Sequence, residues 1–253
     1  MRRTTLALTI LGALLLSSLL AAQSALFQSM NLASGLVGWW KLCGDTSASS
    51  GCAASSGTAV YDSSGYGDNG TWSGTAAGST GYYSAGNSQP WAGTFNGTND
   101  TISCGTNLAA LQFSSAQSFS VSAWVYLSST ISGWHTVFAN SRNLSPYWGL
   151  WLNTGQTVNF NIGGTTLTTS SGISIGSWHH LVGVSTAGNA FRVYVDGSLA
   201  ATGGVPPAAT GAGACTIGGD SVSEYFSGRI QSVRVYNRAL SAAEIAQMYL
   251  AHT

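Results

Sequence analysis

An all-β protein, folded as a two-sheet antiparallel sandwich with one short C-terminal helix, is what this sequence predicts. Three observations carry the prediction. Apolar and polar residues alternate through Trp178–Ser185 and Phe191–Val195, the period of a strand buried on one face. Phe191, Val193 and Val195 point one way, and Arg192, Tyr194 and Asp196 the other. Asp196-Gly197 then supplies the φ > 0 positions of a tight hairpin turn, and Ser198 to Thr202 leads away as the returning strand.

The elements follow in chain order. Arg2 and Arg3 precede an apolar run from Leu6 to Ala22, and Ala22-Gln23-Ser24 offers small residues for cleavage. This pattern is that of a secretory signal peptide over residues 1–24, cut near Ser24 or Ala25 and leaving a single domain over 25–253. The competing reading is an uncleaved anchor, because the run approaches the ~20 residues that span a bilayer. With cleavage, the protein is secreted, extracellular or at the cell surface, with no membrane span. Leu36 to Lys41 is the first strand, with Trp39 and Trp40 on opposite faces. Gly44 to Gly86 is rich in Gly, Ser, Thr and Ala, which predicts long loops with short strands at Val60-Tyr61, Trp72 and Tyr82-Tyr83. Strands are expected at Trp91 to Phe95, Thr101 to Ser103, Phe119 to Leu127 and Thr136 to Asn140, then at Tyr147 to Asn153, Thr157 to Ile162 and Thr165 to Thr168. In Phe119 to Leu127 the residues Phe119, Val121, Ala123, Val125 and Leu127 share the core face. After a last strand, Arg229 to Tyr236, Ser241 and Glu244 form a capping box at the start of a helix, with Leu240 and Ile245 as its hydrophobic staple.

Several of these segments carry a resemblance. Trp178-His-His-Leu-Val-Gly-Val-Ser followed by Arg192-Val-Tyr-Val-Asp-Gly resembles the central signature of laminin-G-like domains of the concanavalin A-like lectin and glucanase superfamily. Flanking matches are Asp62-Ser-Ser-Gly with Asp68-Asn-Gly-Thr, Phe95-Asn-Gly-Thr-Asn-Asp100, Ser118-Phe-Ser-Val-Ser-Ala-Trp-Val, Tyr225-Phe-Ser-Gly-Arg-Ile and Arg234-Val-Tyr-Asn-Arg-Ala-Leu-Ser. The resemblance spans roughly residues 36 to 249 and, with the strand spacing, implies a concanavalin A-like jelly-roll β-sandwich of about a dozen strands. It says less about function, because one fold hosts many activities.

Charged residues are only 6% of the chain, and without Arg2 and Arg3 six Lys and Arg face eight Asp and Glu. Such a chain has no basic patch for nucleic acid, so that partner is not expected. A surface of Ser, Thr, Asn, Gly and aromatics lacks charge repulsion and favours association. Four cysteines in an exported chain suggest two disulfides, for which three connectivities exist. The favoured pairing is Cys43 with Cys52, closing a short Ser-rich excursion, and Cys104 with Cys215, joining strands far apart in sequence. Neither a C-x-x-C pair nor paired Cys and His spacing points to zinc.

Chemistry is sparse. A glycosidase needs two aimed carboxylates, and the E-x-D-x-x-E strand of the superfamily's glucanases has no counterpart here. Asp220 and Glu224 are the only close acidic pair, and they fall in a Gly and Ser-rich loop, so no catalytic residue is expected. His179 and His180 read as strand residues, since a catalytic base would require a positioned nucleophile and an orienting carboxylate. The resemblance implies a calcium ion held by loop oxygens, for which Asp62, Asp68, Asn99, Asp100, Asp220 and Glu224 are the candidates; Asx-turn hydrogen bonding is the competing role for each. Where relatives usually carry an acid after Gly-Arg-Ile, Gln231 and Ser232 stand instead. Sugar recognition needs aromatic faces, and nine Trp and ten Tyr supply them. Trp134, in a loop, and Tyr147 with Trp151, on one strand face, form the candidate platform, while Trp148, Leu150 and Leu152 take the core face. Sequons begin at Asn69, Asn96, Asn99 and Asn143. The expected function is a secreted, non-catalytic module that binds a glycan or another cell-surface ligand. The alternatives are a structural surface protein, an adhesin or self-assembling coat or filament subunit, and, less favoured, a glycoside hydrolase.

Overall fold

The computed structural model describes residues 32–42, 58–74, 82–83, 92–142, 144–220 and 223–251. The signal segment, Cys43, Cys52, Trp91 and Asn143 lie outside the described residues. Alternating segments become strands because their backbone N–H and C=O groups can be buried only when a ladder pairs them. The strands are β1 (Leu36–Trp40), β2 (Ala59–Val60), β3 (Gly70–Ser73), β4 (Tyr82–Tyr83), β5 (Ala92–Asn96), β6 (Thr101–Thr106), β7 (Phe119–Tyr126) and β8 (His135–Asn140). They continue as β9 (Trp148–Asn153), β10 (Thr157–Ile162), β11 (Thr165–Gly172), β12 (Trp178–Ser185), β13 (Phe191–Val195), β14 (Ser198–Thr202), β15 (Ala214–Ile217) and β16 (Ser227–Tyr236). One helix, α1 (Ala242–Leu250), follows. The described strands number sixteen rather than about a dozen. The short strands β2, β3 and β4 fall where Val60-Tyr61, Trp72 and Tyr82-Tyr83 mark them, and β15, only four residues long and too short to display an alternation, is the strand with no expected counterpart.

Two antiparallel sheets form the sandwich. The first runs β14-β13-β12-β7-β16-β5-β4, and the second runs β11-β10-β9-β8-β15-β6-β3-β2. In the first sheet β16 changes partners along its length: Ser227–Ile230 pairs with β5, and Val233–Tyr236 pairs with β1, with a bulge between Gln231 and Arg234 in the register with β7. Ser232, at φ 51°, sits in that bulge and donates its N–H to the Lys41 carbonyl at 3.0 Å. The inner faces meet through aromatic rings. Phe113 stacks on Phe119 with centroids 4.4 Å apart, and Phe119 lies 4.8 Å from Trp148. Gly183 lies directly beneath Phe160, where a Cβ would come within 2.7 Å of the ring. The Phe119 to Val125 and Phe191 to Val195 faces are those expected from alternation.

A disulfide joins Cys104 on β6 to Cys215 on β15. The outer face of the first sheet is covered where Trp124 stacks between His180 (5.1 Å) and Tyr249 of α1 (5.7 Å). The helix starts as expected. Ser241 Oγ accepts the Glu244 N–H at 3.2 Å, and Glu244 Oε2 accepts the Ser241 N–H at 2.8 Å.

Candidate functional site: a hollow on the outer face of the second sheet

Strand alternation sorts the residues of β9 and β10. Trp148, Leu150, Leu152, Val158, Phe160 and Ile162 go inward and are fully buried, which leaves Gly149, Trp151, Asn159 and Asn161 on the outer face. Cross-strand register extends that face into two rows, Thr136–Trp151–Asn159–Thr168 and Ala139–Gly149–Asn161–Thr166. A surface of amides, hydroxyls and one indole results. Thr168 Oγ1 donates to Asn159 Oδ1 at 2.6 Å, and Asn161 Nδ2 donates to Thr166 Oγ1 at 2.6 Å. Because Thr166 already accepts from Asn161, its own O–H proton is left to donate elsewhere.

Gly149 makes room for the indole of Trp151, since a Cβ there would stand 2.9 Å from Trp151 Cη2. Trp151 is 1% exposed, so it is the floor of this region and not the free stacking face expected of it. Tyr147 meets it edge-on with centroids 6.2 Å apart. Above both rings lies Arg142, which leaves the end of β8 through Ser141 at φ 67°; its guanidinium carbon is 4.9 Å from the Tyr147 centroid and 5.7 Å from that of Trp151. Trp134 stands 38% exposed on the connection between β7 and β8. That connection is pinned: Gly133 donates its N–H to Thr154 Oγ1 at 2.9 Å, and the His135 ring faces the carbonyls of Tyr225 at 2.6 Å and Ser132 at 3.1 Å. Trp134, Arg142, Tyr147, Trp151, Asn161, Gly164 and Thr166 enclose one hollow of about 160 Å³. All three aromatic residues singled out in the sequence converge there. Arg142, Asn161 and Thr166 were missed, since they come from a loop and two strands and carry no local motif.

Charge at the edge of the hollow is gathered in one cluster of an arginine and two carboxylates. Arg142 grips Glu224 through Nη2 at 2.6 Å and Nε at 3.1 Å and stands 3.8 Å from Asp220. Asp220, 4% exposed, accepts from Thr136 Oγ1 at 2.8 Å and from the Glu224 N–H at 3.2 Å. Burial pushes the Glu224 carboxyl above its ordinary value, assisted by Asp220, against the downward pull of Arg142. The hydrogen bond to Glu224 holds the Arg142 guanidinium above its own ordinary value, so it stays charged. A second hollow of about 340 Å³, beside Leu144, Ala214 and Asp220, also touches Arg142.

The remaining acidic candidates fall in separate loops. Asp62 is caged by donors: Oδ1 accepts the N–H groups of Trp39 and Ser64 at 2.9 Å each, and Oδ2 accepts Ser64 Oγ at 2.7 Å and the N–H groups of Gly67 and Asp68. Burial, and then the neighbouring Asp62 charge, raise the Asp68 carboxyl above its ordinary value. Asn99 Oδ1 accepts from Asn96 Nδ2 at 2.8 Å, and Asp100 Oδ2 accepts the Asn96 N–H at 2.9 Å. Among the described residues no group of three or more His, Cys, Asp or Glu could hold a metal ion. The carboxylates of Asp62 and Asp220 face N–H, O–H and guanidinium donors that a calcium ion would have to displace. At Asp62 and Asp220 these donors occupy the oxygens that a calcium ion would use.

Comparison with known proteins bears on the fold. A family model described as the concanavalin A-like lectin/glucanases superfamily matches residues 96–246. No curated protein matches the chain. Among solved structures, the chain is similar to domain 4 of AbnA, a GH43 extracellular arabinanase from Geobacillus stearothermophilus, in complex with arabinotriose, at 21% identity and a TM-score of 0.63, covering 85% of this chain and 98% of that one. It is similar to the binding domain of Paraclostridial Mosquitocidal Protein 1 at 16% identity and a TM-score of 0.66, over 87% of this chain and 53% of that one. A Trypanosoma rangeli sialidase is matched at 19% identity and a TM-score of 0.61, over 86% of this chain and 33% of that one.

Proposed function

The chain belongs to the concanavalin A-like lectin/glucanases superfamily, and from that premise we propose that it is a secreted carbohydrate-binding module whose ligand sits in the outer hollow of the second sheet. One observation carries the reading: Trp134, Tyr147 and Trp151 meet Arg142, Asn161 and Thr166 around a single hollow. Aromatic surface covers the apolar face of a sugar ring, while amide and hydroxyl groups replace the water lost by its hydroxyls. The site is non-catalytic in this reading, because Asp220 and Glu224 are committed to Arg142 and each other rather than flanking a scissile bond. The disulfide of Cys104 and Cys215 suits an oxidising compartment. The ligand class extends to any cell-surface glycan.

Retention on insoluble polysaccharides and titration with arabino-oligosaccharides, the ligand class held by the arabinanase domain, test the proposal. Trp134→Ala and Tyr147→Ala are each expected to weaken binding about tenfold, or ~1.4 kcal/mol, with folding unchanged by circular dichroism. Equal retention by both variants overturns it. Retention is expected to be the same with and without a calcium chelator, and a chelator-sensitive signal would assign a calcium ion to the site.

One observation favours a second reading, a surface protein that assembles with copies of itself. β14 ends the first sheet with no charged residue, and Leu199 on it and Val205 just beyond are 55% and 64% exposed. An uncharged strand end of this kind is a template for pairing. Light scattering during size exclusion decides it, since a strict monomer at high concentration removes the assembly.

A further inference from the structure

The hairpin that makes the chain recognisable also builds a second constellation, apart from the sugar hollow. Five residues, 173–177, join β11 to β12, and both ends are pinned: Ile173 donates its N–H to the Gln156 carbonyl and Gly176 to that of Leu127, each at 2.9 Å. Ser174, exposed on this short connection, places Oγ 2.8 Å from His179 Nε2. His179 is the second residue of β12, and its Nδ1 lies 2.7 Å from Asp196 Oδ2. Asp196 is held in turn, since its Oδ1 accepts the His180 N–H at 2.8 Å and its backbone stands at φ 50° in the hairpin turn.

The protonation pattern follows from the partners. An ionised carboxylate only accepts, so the neutral imidazole carries its proton on Nδ1 and leaves Nε2 a bare lone pair. Ser174 Oγ then donates to Nε2, which is the relation between a hydroxyl nucleophile and its base, with the base oriented by a third group. Side-chain exposure is 12% for His179 and 30% for Asp196, so the pair is sheltered while the hydroxyl is open. The hairpin is held by its backbone ladder and by the Asp196 bonds, so it does not depend on the Ser174–His179 contact. The N–H of Ile175, next in the chain, has no acceptor among the described residues and is the donor at hand for a developing oxyanion.

We propose that Ser174, His179 and Asp196 form an esterase site for carboxylic esters with a short acyl group. Ser174 Oγ attacks the acyl carbon while its proton passes to His179 Nε2. The acyl–oxygen bond to the alcohol breaks, and that proton leaves with the alcohol. Water then attacks the acyl-serine, gives a proton to Nε2, and releases the carboxylic acid as Ser174 Oγ recovers its proton. Asp196 is the positioning residue. The connection is open, and Ile175 beside it is 39% exposed, so the site takes a short acyl group rather than enclosing a large one.

The full chain is treated with a fluorophosphonate probe and the adduct located by mass spectrometry, in parallel with hydrolysis of p-nitrophenyl acetate. A covalent adduct on Ser174 is expected, absent in Ser174→Ala and His179→Gln, with hydrolysis roughly 100-fold slower in both. Ser177→Ala, exposed on the same connection, is expected to match the unaltered chain. For Asp196 the readout is the far-downfield proton resonance of His179 Nδ1, present in the unaltered chain and lost in Asp196→Asn together with hydrolysis. Hydrolysis that survives Ser174→Ala unchanged, or an adduct on any residue other than Ser174, overturns the proposal. Neither result touches the sugar hollow, which the retention experiment tests separately.

Discussion

At the scale of single residues, the candidate site rests on an absence of atoms. Gly149 has no Cβ, and the Trp151 ring occupies the space a Cβ would need while the Phe138 carbonyl crowds it from the other strand. Gly149→Ala forces the ring or the strand to move, and overpacking of this kind costs about 1–3 kcal/mol. A fall in Tm of roughly 2–12 °C is expected at ~2–4 °C per kcal/mol for a domain of this size. Calorimetry measures it, and because Trp151 floors the hollow, sugar retention falls in the same variant. An unchanged Tm would mean that β9 shifts freely and that Trp151 is not held. The aromatic members of the site were legible because Trp and Tyr at a loop tip and on one strand face advertise themselves. Trp151 was misplaced in depth: alternation gives the face a side chain takes, but not what lies over it, and here Arg142 does. Ser174 was invisible for another reason. A serine in a Ser-rich chain carries no signal until the fold sets it beside His179.

At the scale of elements, α1 shows how much a short segment can announce. Leu240, Ser241, Glu244 and Ile245 mark its start in the sequence, and the capping box forms as expected. Arg238 adds a contact no local rule supplies, its Nη2 lying 2.7 Å from Glu244 Oε1. Burial pushes the Glu244 carboxyl up, but hydrogen bonds from Arg238 and Ser241 outweigh it and hold the group below its ordinary 4.5. A carboxylate depressed in the folded state contributes stability above its unfolded pKa, and that contribution is lost as pH falls through the folded pKa. Amides of residues 242–250 are therefore expected to exchange faster in acid, below about pH 4.5, than the strands do. Glu244→Gln should cost about 1 kcal/mol at neutral pH and flatten that response, because the cap partner loses its charge. Hydrogen exchange read by mass spectrometry checks both, and a helix whose acid response is unchanged by the substitution would assign the effect elsewhere. The bulge in β16 had no such announcement. Gln231 and Ser232 look like ordinary strand residues, and only the arrival of β1 beside β16 makes the change of partner necessary.

At the scale of the whole molecule, strands could be read from the sequence but their order could not, because neighbours in the sheets are often distant in the chain. β7 lies between β12 and β16, and β15 between β6 and β8. Each such pairing closes a long loop whose entropy local patterning does not register. The disulfide acts at this scale. Cys104 and Cys215 are 111 residues apart, on strands that already pair, with Cys215 opposite Gly105. Native contacts at that point change little when the sulfurs are removed, so the effect falls mainly on the unfolded chain, which gains the freedom of an open loop. For a loop of this length the chain-entropy account gives about 5 kcal/mol, or roughly 10–20 °C in Tm. The Cys104→Ala/Cys215→Ala double variant is expected to fold into the same sandwich, with unchanged far-ultraviolet circular dichroism and a Tm lowered by that amount. A drop of only a few degrees would place residual order in the unfolded chain around β6 and β15. Loss of the folded spectrum altogether would instead make the bridge a condition of the β6–β15 pairing itself.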